Sequence, residues 1–155
     1  MDQLQELLEI EQIKHLKARY CTCVAKEDWP TFMSLFSEDL AFMTPDGTIY
    51  QPRSAFEKMH IRTLQEPKVW GVVHCYTPII EITGENSAKG VWGMEDIHVW
   101  PGDGPRIGHH GYGHYHEDYV RTTDGWKFKR IDVIYDRMDP LEGGFGGITF
   151  DTFQE

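Results

Sequence analysis

Trp70-Gly71-Val72-Val73-His74-Cys75-Tyr76-Thr77-Pro78-Ile79-Ile80-Glu81-Ile82 is the stretch on which the fold turns. It is rich in β-branched and aromatic residues, which fit a pleated surface better than a helix. Thr83-Gly84-Glu85-Asn86-Ser87 turns it, and Ala88 to Val99 runs back. Pro101-Gly102-Asp103-Gly104-Pro105 reads as a loop, Gly108 to Thr122 as a third long strand, Thr123-Asp124-Gly125 as a hairpin turn and Trp126 to Met138 as the fourth strand. Long strands joined in sequence by short turns predict an antiparallel meander, and strands of this length twist and curl.

Upstream, the pattern changes to a helical one. Leu4, Leu7 and Leu8, then Ile13, Leu16, Tyr20, Cys23 and Val24, recur mostly at three- and four-residue spacing. Asp28 reads as an N-cap with Pro30 in the first turn of a short second helix carrying Phe32, Met33, Leu35 and Phe36. Leu40 to Thr44 and Thr48 to Tyr50 read as a small hairpin about Pro45-Asp46-Gly47. Ser54 reads as the cap of a third helix running to Leu64. Helices segregated from an antiparallel sheet define the α+β class. The expectation is one domain over residues 1–140, with an irregular glycine-rich tail over 141–155. A curled sheet capped by helices leaves a concave mouth, where ligand pockets favour forming.

Composition narrows the function classes. The 155 residues carry 25 Asp and Glu against 15 Lys and Arg, a formal charge of −10 that argues against nucleic acid and anionic membrane as partners. No apolar run reaches the ~18 residues of a membrane span. Cys21, Cys23 and Cys75 make an odd number without a C-x-x-C pair, which fits reduced thiols in a cytoplasmic protein.

Ile10-Glu11-Gln12-Ile13 through Arg19-Tyr20, then Glu27-Asp28-Trp29 and Phe36-Ser37-Glu38-Asp39, resemble the opening of SnoaL-like proteins of the nuclear transport factor 2-like superfamily. Gly111-Tyr112-Gly113-His114-Tyr115 through Asp118-Tyr119 and Asp124-Gly125-Trp126 resemble their last hairpin. Trp92-Gly93-Met94-Glu95-Asp96 is similar to a W-x-x-E-D stretch of bile-acid dehydratases. The resemblance spans roughly residues 8–138. It implies a cystatin-like cone with N-terminal helices packed on a curved sheet, and oligomers. It also implies chemistry of the kind performed by scytalone dehydratase, polyketide cyclases and cofactor-free lyases. Enzymes of that superfamily commonly use a His–Asp pair with a Tyr. The resemblance puts the His at His74 and the Tyr at Tyr20. Its acid position, five residues after that Tyr, holds Ala25, so Asp96 is the replacement.

The candidate catalytic residues are therefore His74, Asp96 and Tyr20, with Tyr50, Tyr76, Trp92, Tyr115, Tyr135 and His114 as candidate substrate contacts. An imidazole can move a proton near neutral pH, and tyrosine hydroxyls can donate to a carbonyl or a developing oxyanion. Each also has a plain reading as a packed or locally bonded side chain. An antiparallel pairing turned at Glu85-Asn86 brings His74 near residue 97, and an offset of one decides whether Asp96 shares its face. In His109-His110-Gly111-Tyr112-Gly113-His114-Tyr115-His116, alternation sets His110, Tyr112, His114 and His116 on one face and His109 with Tyr115 on the other. Imidazoles two apart suit a metal enzyme, but the acid a cupin would place after them is replaced by Val120. A polar strand with no metal is the favoured expectation. Together these readings predict a dehydratase, lyase, cyclase or isomerase without cofactor, acting on a small apolar cyclic or aromatic substrate. A non-catalytic binding or assembly module of the same fold is the alternative, and a metal enzyme on the 109–116 strand the second. A homodimer through the outer face of the sheet is expected.

Overall fold

The computed structural model describes residues 2–66, 69–101 and 107–142. Helix α1 spans Gln3–Lys26 and begins where the Asp2 carboxylate accepts from the Gln5 backbone N–H at 2.8 Å. It ends at Glu27, which takes a left-handed conformation with φ 56°. Ile13, Leu16, Tyr20, Cys23 and Val24 form its buried stripe, whereas Leu4, Leu7 and Leu8 stay exposed. The expected apolar face thus operates only from the middle of the helix onward.

Helix α2 spans Trp29–Ser34, and Asp28 caps it through the Thr31 N–H. Strand β1, Phe36–Met43, starts earlier than the expected Leu40, so Phe36 belongs to the sheet and not to the second helix. A turn with Gly47 at φ 84° leads to the short strand β2, Ile49–Tyr50. Helix α3 spans Arg53–His60 and continues as a π-helical turn, Ile61–Gln65. Its N-cap position is Pro52, without a side-chain cap bond, so the expected Ser54 cap is corrected.

Four long strands follow: β3 Trp70–Gly84, β4 Ser87–Trp100, β5 Ile107–Thr122 and β6 Gly125–Glu142. The sheet order is β2-β1-β6-β5-β4-β3, antiparallel except for the β1–β6 pair. The long strands have the expected meander order. Two irregularities in β3, between Tyr76 and Ile79 and between Ile82 and Gly84, each move the pairing with β4 by one residue. The result pairs Val73 with Asp96 and His74 with Glu95. Positions 143–155 of the expected tail lie outside the described residues.

The helices cover the concave face of the sheet. Tyr20, Phe32, Phe36, Phe56 and Phe128 form an aromatic core there, with ring centroids 4.9 Å apart for Tyr20–Phe32 and 5.3 Å for Phe36–Phe56. Two buried polar groups tie helix to sheet. Lys17 is hydrogen-bonded to Glu117, and its ammonium lies 3.6 Å from the centroid of the Tyr115 ring. Glu9 accepts from Trp126 Nε1 and pairs with Arg121, each at 2.8 Å. Glu117 is therefore an interior residue, although its type suggests a solvated surface. Among the described residues no helix is long and apolar enough to cross a membrane.

Candidate active site

Between the helices and the sheet lies a cavity of about 460 Å³, within the range of small-molecule pockets. Its apolar walls come from Val24, Trp29, Phe32, Phe42, Phe56, Met59, Leu64 and Val133. Polar groups converge from β4, β5 and β6. Asp96 and His98 are two residues apart on β4, so both face the cavity. His109 on β5 pairs directly with His98, and Gly111 directly with Asp96. Tyr135 reaches the same place from β6.

Asp96 is the hub. It is 3% exposed. The Tyr135 hydroxyl donates to its Oδ2 at 2.5 Å, His98 Nδ1 stands 3.1 Å from Oδ2, and His109 Nε2 stands 3.4 Å from Oδ1. Tyr135 also lies 3.4 Å from His109 Nε2. Burial by itself would raise the Asp96 carboxyl. Polar contacts from His109, His98 and Tyr135 outweigh it and hold the group well below the usual carboxylate range. Burial, then the neighbouring Asp96, push the Tyr135 phenol up, so that it stays a donor. The absence of a side chain at Gly111 makes the arrangement possible: a Cβ there would stand 2.3 Å from Asp96 Oδ1 and 2.3 Å from Tyr135 Cε1.

His60, at the end of α3, is a second polar group in the wall. It is enclosed by the rings of Trp29, Phe32 and Phe56, and its Nδ1 lies 3.1 Å from Gln65 Nε2. Burial, then the nearby His98, lower its pKa to about 4. It is a neutral imidazole at physiological pH.

The sequence-derived candidates divide between the two faces of the sheet. Tyr20, Tyr50, Asp96, Tyr115 and Tyr135 line the cavity. His74 does not. It is exposed and borders a separate hollow between α1 and β3, with Lys14 and Tyr76. Because Asp96 pairs with Val73, the carboxylate and His74 point to opposite faces, and the expected His74–Asp96 pair is not formed. Tyr76 covers Gly93 on the outer face. His114 is also outside, paired with Asp136 at 2.8 Å. Trp92 is buried, borders the same separate hollow as His74 and not the cavity, and donates its Nε1–H to the Tyr119 hydroxyl at 2.8 Å. On α1, Ala25 is exposed while Val24 lines the cavity, so this helix brings no acid to the wall. Among the 109–116 histidines only His109 joins the cavity, as its shared face with Tyr115 requires.

The residues not singled out beforehand are His98 and His60, with His109 noted only for its face. His98 could have been found by pairing the expected β4 and β5 strands. His60 carried no local signal, being one polar residue in a helix.

The fold is a helix-capped, curved-sheet cone around an internal cavity. The chain belongs to the SnoaL-like domain family, whose model matches residues 5–132. Solved structures share the architecture. A candidate scytalone dehydratase from Novosphingobium aromaticivorans superposes with a TM-score of 0.76 at 20% identity, covering 93% of this chain and 97% of that one. The hexachlorocyclohexane dehydrochlorinase LinA-type3 from Novosphingobium barchaimii gives 0.68 at 16% identity, covering 96% and 98%. A candidate aromatic ring hydroxylase from Novosphingobium aromaticivorans gives 0.77 at 16%, covering 87% and 94%. At such identities the likeness establishes the fold.

Proposed function

We propose that this protein is a lyase of the dehydratase type, acting without a cofactor on a small uncharged cyclic or aromatic substrate. The observation that carries the reading is a buried carboxylate held among two imidazoles and a phenol on the floor of an apolar cavity. The names of several structural neighbours point the same way. In this reading His109 is the base and Asp96 orients it and stabilises its charged form. The imidazole takes a proton from the carbon beside a carbonyl, and the phenols of Tyr115 and Tyr20 are placed to donate to the developing oxyanion, while Tyr135 donates to Asp96. The carbon–oxygen bond on the neighbouring carbon then breaks. The departing hydroxyl receives the same proton from His109 and leaves as water, so one imidazole serves both steps and no net proton is consumed. The His74 expectation gives way to His109 because only the latter borders the cavity.

Among the described residues the cavity wall contains Asp46 and Asp96 and no Lys or Arg. That favours neutral ligands over carboxylates and phosphate esters. A non-catalytic binding protein is the second reading, favoured by the absence of an acid on the α1 wall. A thermal-shift screen of hydroxylated cyclic ketones and phenols, followed by an absorbance assay for the conjugated product, separates the two. Ligands that stabilise the protein and are never dehydrated would overturn the enzymatic reading.

A further inference from the structure

We propose that Asp96, His98 and His109 form a binding site for a divalent first-row transition-metal ion, zinc above all, whose open coordination position faces the cavity. Two imidazoles and a carboxylate are a donor set that suits zinc. The spacing fits as well. Ligand atoms about 2.0–2.1 Å from a tetrahedral ion lie about 3.3 Å from one another. Here Asp96 Oδ2 is 3.1 Å from His98 Nδ1 and 3.5 Å from His109 Nε2. One donor atom from each of the three residues lies within 4.8 Å of the others.

A second observation is independent of spacing. Asp96 Oδ1 and His98 Nδ1 are buried without a hydrogen-bond partner among the described residues. Unsatisfied buried acceptors are costly and rare, and a cation between them would satisfy both. The surroundings are also those of a supported site. Tyr135 fixes the carboxylate through Oδ2, and Trp100 lies against both imidazoles at centroid distances of 5.9 and 5.5 Å. The outer-face pairs His110–Glu95 and His114–Asp136 are two-residue contacts, and no third ligand group joins them among the described residues.

The site overlaps the one proposed for elimination, so the two readings make linked and separable claims. A bound ion takes up the ring nitrogens turned toward Asp96 and replaces the imidazole–carboxylate contact with a coordinate bond. Metal occupancy and proton transfer by His109 therefore exclude each other, and the ion is an inhibitor of the metal-free lyase.

The test is a titration of chelator-treated protein with cobalt(II), followed by visible absorption, and with zinc by calorimetry. One equivalent should bind with tetrahedral ligand-field bands. Asp96→Asn and His98→Gln, each verified as folded by circular dichroism, should weaken binding by about 100-fold or more, beyond the effect usual for supporting residues. A His110→Ala/His114→Ala double variant should bind as wild type. No saturable binding, undiminished binding in Asp96→Asn, or loss of binding in the outer-face variant would leave an adventitious ion only and overturn the site. Turnover is read separately. Activity that falls with occupancy supports both readings. Activity that rises with occupancy, or does not change, keeps the site and overturns the metal-free reading.

Discussion

His98 on β4 pairs with His109 on β5, and their rings stand 5.2 Å apart beside the carboxylate of Asp96. Cross-strand pairing, and not any local motif, creates the polar end of the cavity. From this follows the sharpest prediction about activity. His109→Gln and Asp96→Asn should each lower kcat by about two orders of magnitude or more, the usual cost of losing acid–base catalysis. His74→Ala should leave kcat near wild type, since His74 borders a different hollow. Steady-state kinetics on a substrate from the screen decides it. Equal loss in the His74 variant would return the chemistry to the other face.

Gly111 should tolerate no side chain. Its Cβ would fall 2.3 Å from both Asp96 Oδ1 and Tyr135 Cε1, well inside contact distance. Gly111→Ala should therefore cost about 1–3 kcal/mol, as overpacking usually does, and should abolish ligand-induced thermal stabilisation. Denaturant titration with and without ligand measures both. An unperturbed ligand response would mean that Asp96 and Tyr135 do not need to meet.

Most of the architecture was readable because period, turn residues and strand length agree from Trp70 to Met138. The site was only half readable. Strand alternation sets His109 beside Tyr115 and apart from His110, as in the structure, and of the sequence candidates Asp96, Tyr20, Tyr50, Tyr115 and Tyr135 line the cavity. What failed was the pairing of His74 with Asp96. A plain hairpin about Glu85-Asn86 sets His74 against residue 97. The two irregularities in β3 each slip the pairing by one residue, so His74 meets Glu95; residues 95 and 97 share a face, and Asp96 stands on the face opposite His74 in either register. A bulge at Thr77, with φ 46°, has no signature strong enough to be read from its residues. The His98–His109 pair carries no local motif and emerges only when β4 is set against β5.

The outer face of the sheet should mediate assembly. Tyr76, Ile79, Tyr112 and Ile134 are 45%, 74%, 37% and 38% exposed there. Apolar side chains gathered on one uncovered face mark interaction surfaces. A homodimer at micromolar concentration is expected by sedimentation, and Ile79→Lys with Ile134→Lys should convert it to monomer without loss of fold. A wild-type monomer would contradict this use of the face.

Lys17 should matter more for stability than any surface charge. It is 1% exposed, bonded to Glu117, and covered by the rings of Tyr20 and Tyr115. Glu117 also accepts from the Tyr119 hydroxyl, which in turn accepts from Trp92. Lys17→Met leaves a buried carboxylate without its cation and should cost about 3–5 kcal/mol. Adding Glu117→Gln removes that orphaned charge, so the double variant should recover part of the loss. Strict additivity in the cycle would mean that the two groups do not act as a pair.

His60 should make the protein acid-sensitive in a defined window. Its folded pKa is about 4, against an unperturbed 6.5. The depressed value means that the unfolded chain binds a proton between those limits while the folded chain does not. Stability therefore rises with pH across the window, is complete above about 6.5, and falls as the pH drops toward about 4. Below that both states are protonated and His60 contributes no further slope. The physical cause is the burial of the ring among Trp29, Phe32 and Phe56, which disfavours the charged imidazolium. Allowing for relaxation of the site, the loss should be roughly 1–3 kcal/mol. His60→Gln keeps a polar side chain that does not titrate, and should flatten the dependence of the denaturation midpoint on pH between about 6.5 and 4. The Asp96 carboxyl, held below its usual range, loses its contribution only at lower pH, so it does not mask the effect. An unchanged slope in the His60→Gln variant would show that the ring is charged, or hydrated, in the folded protein.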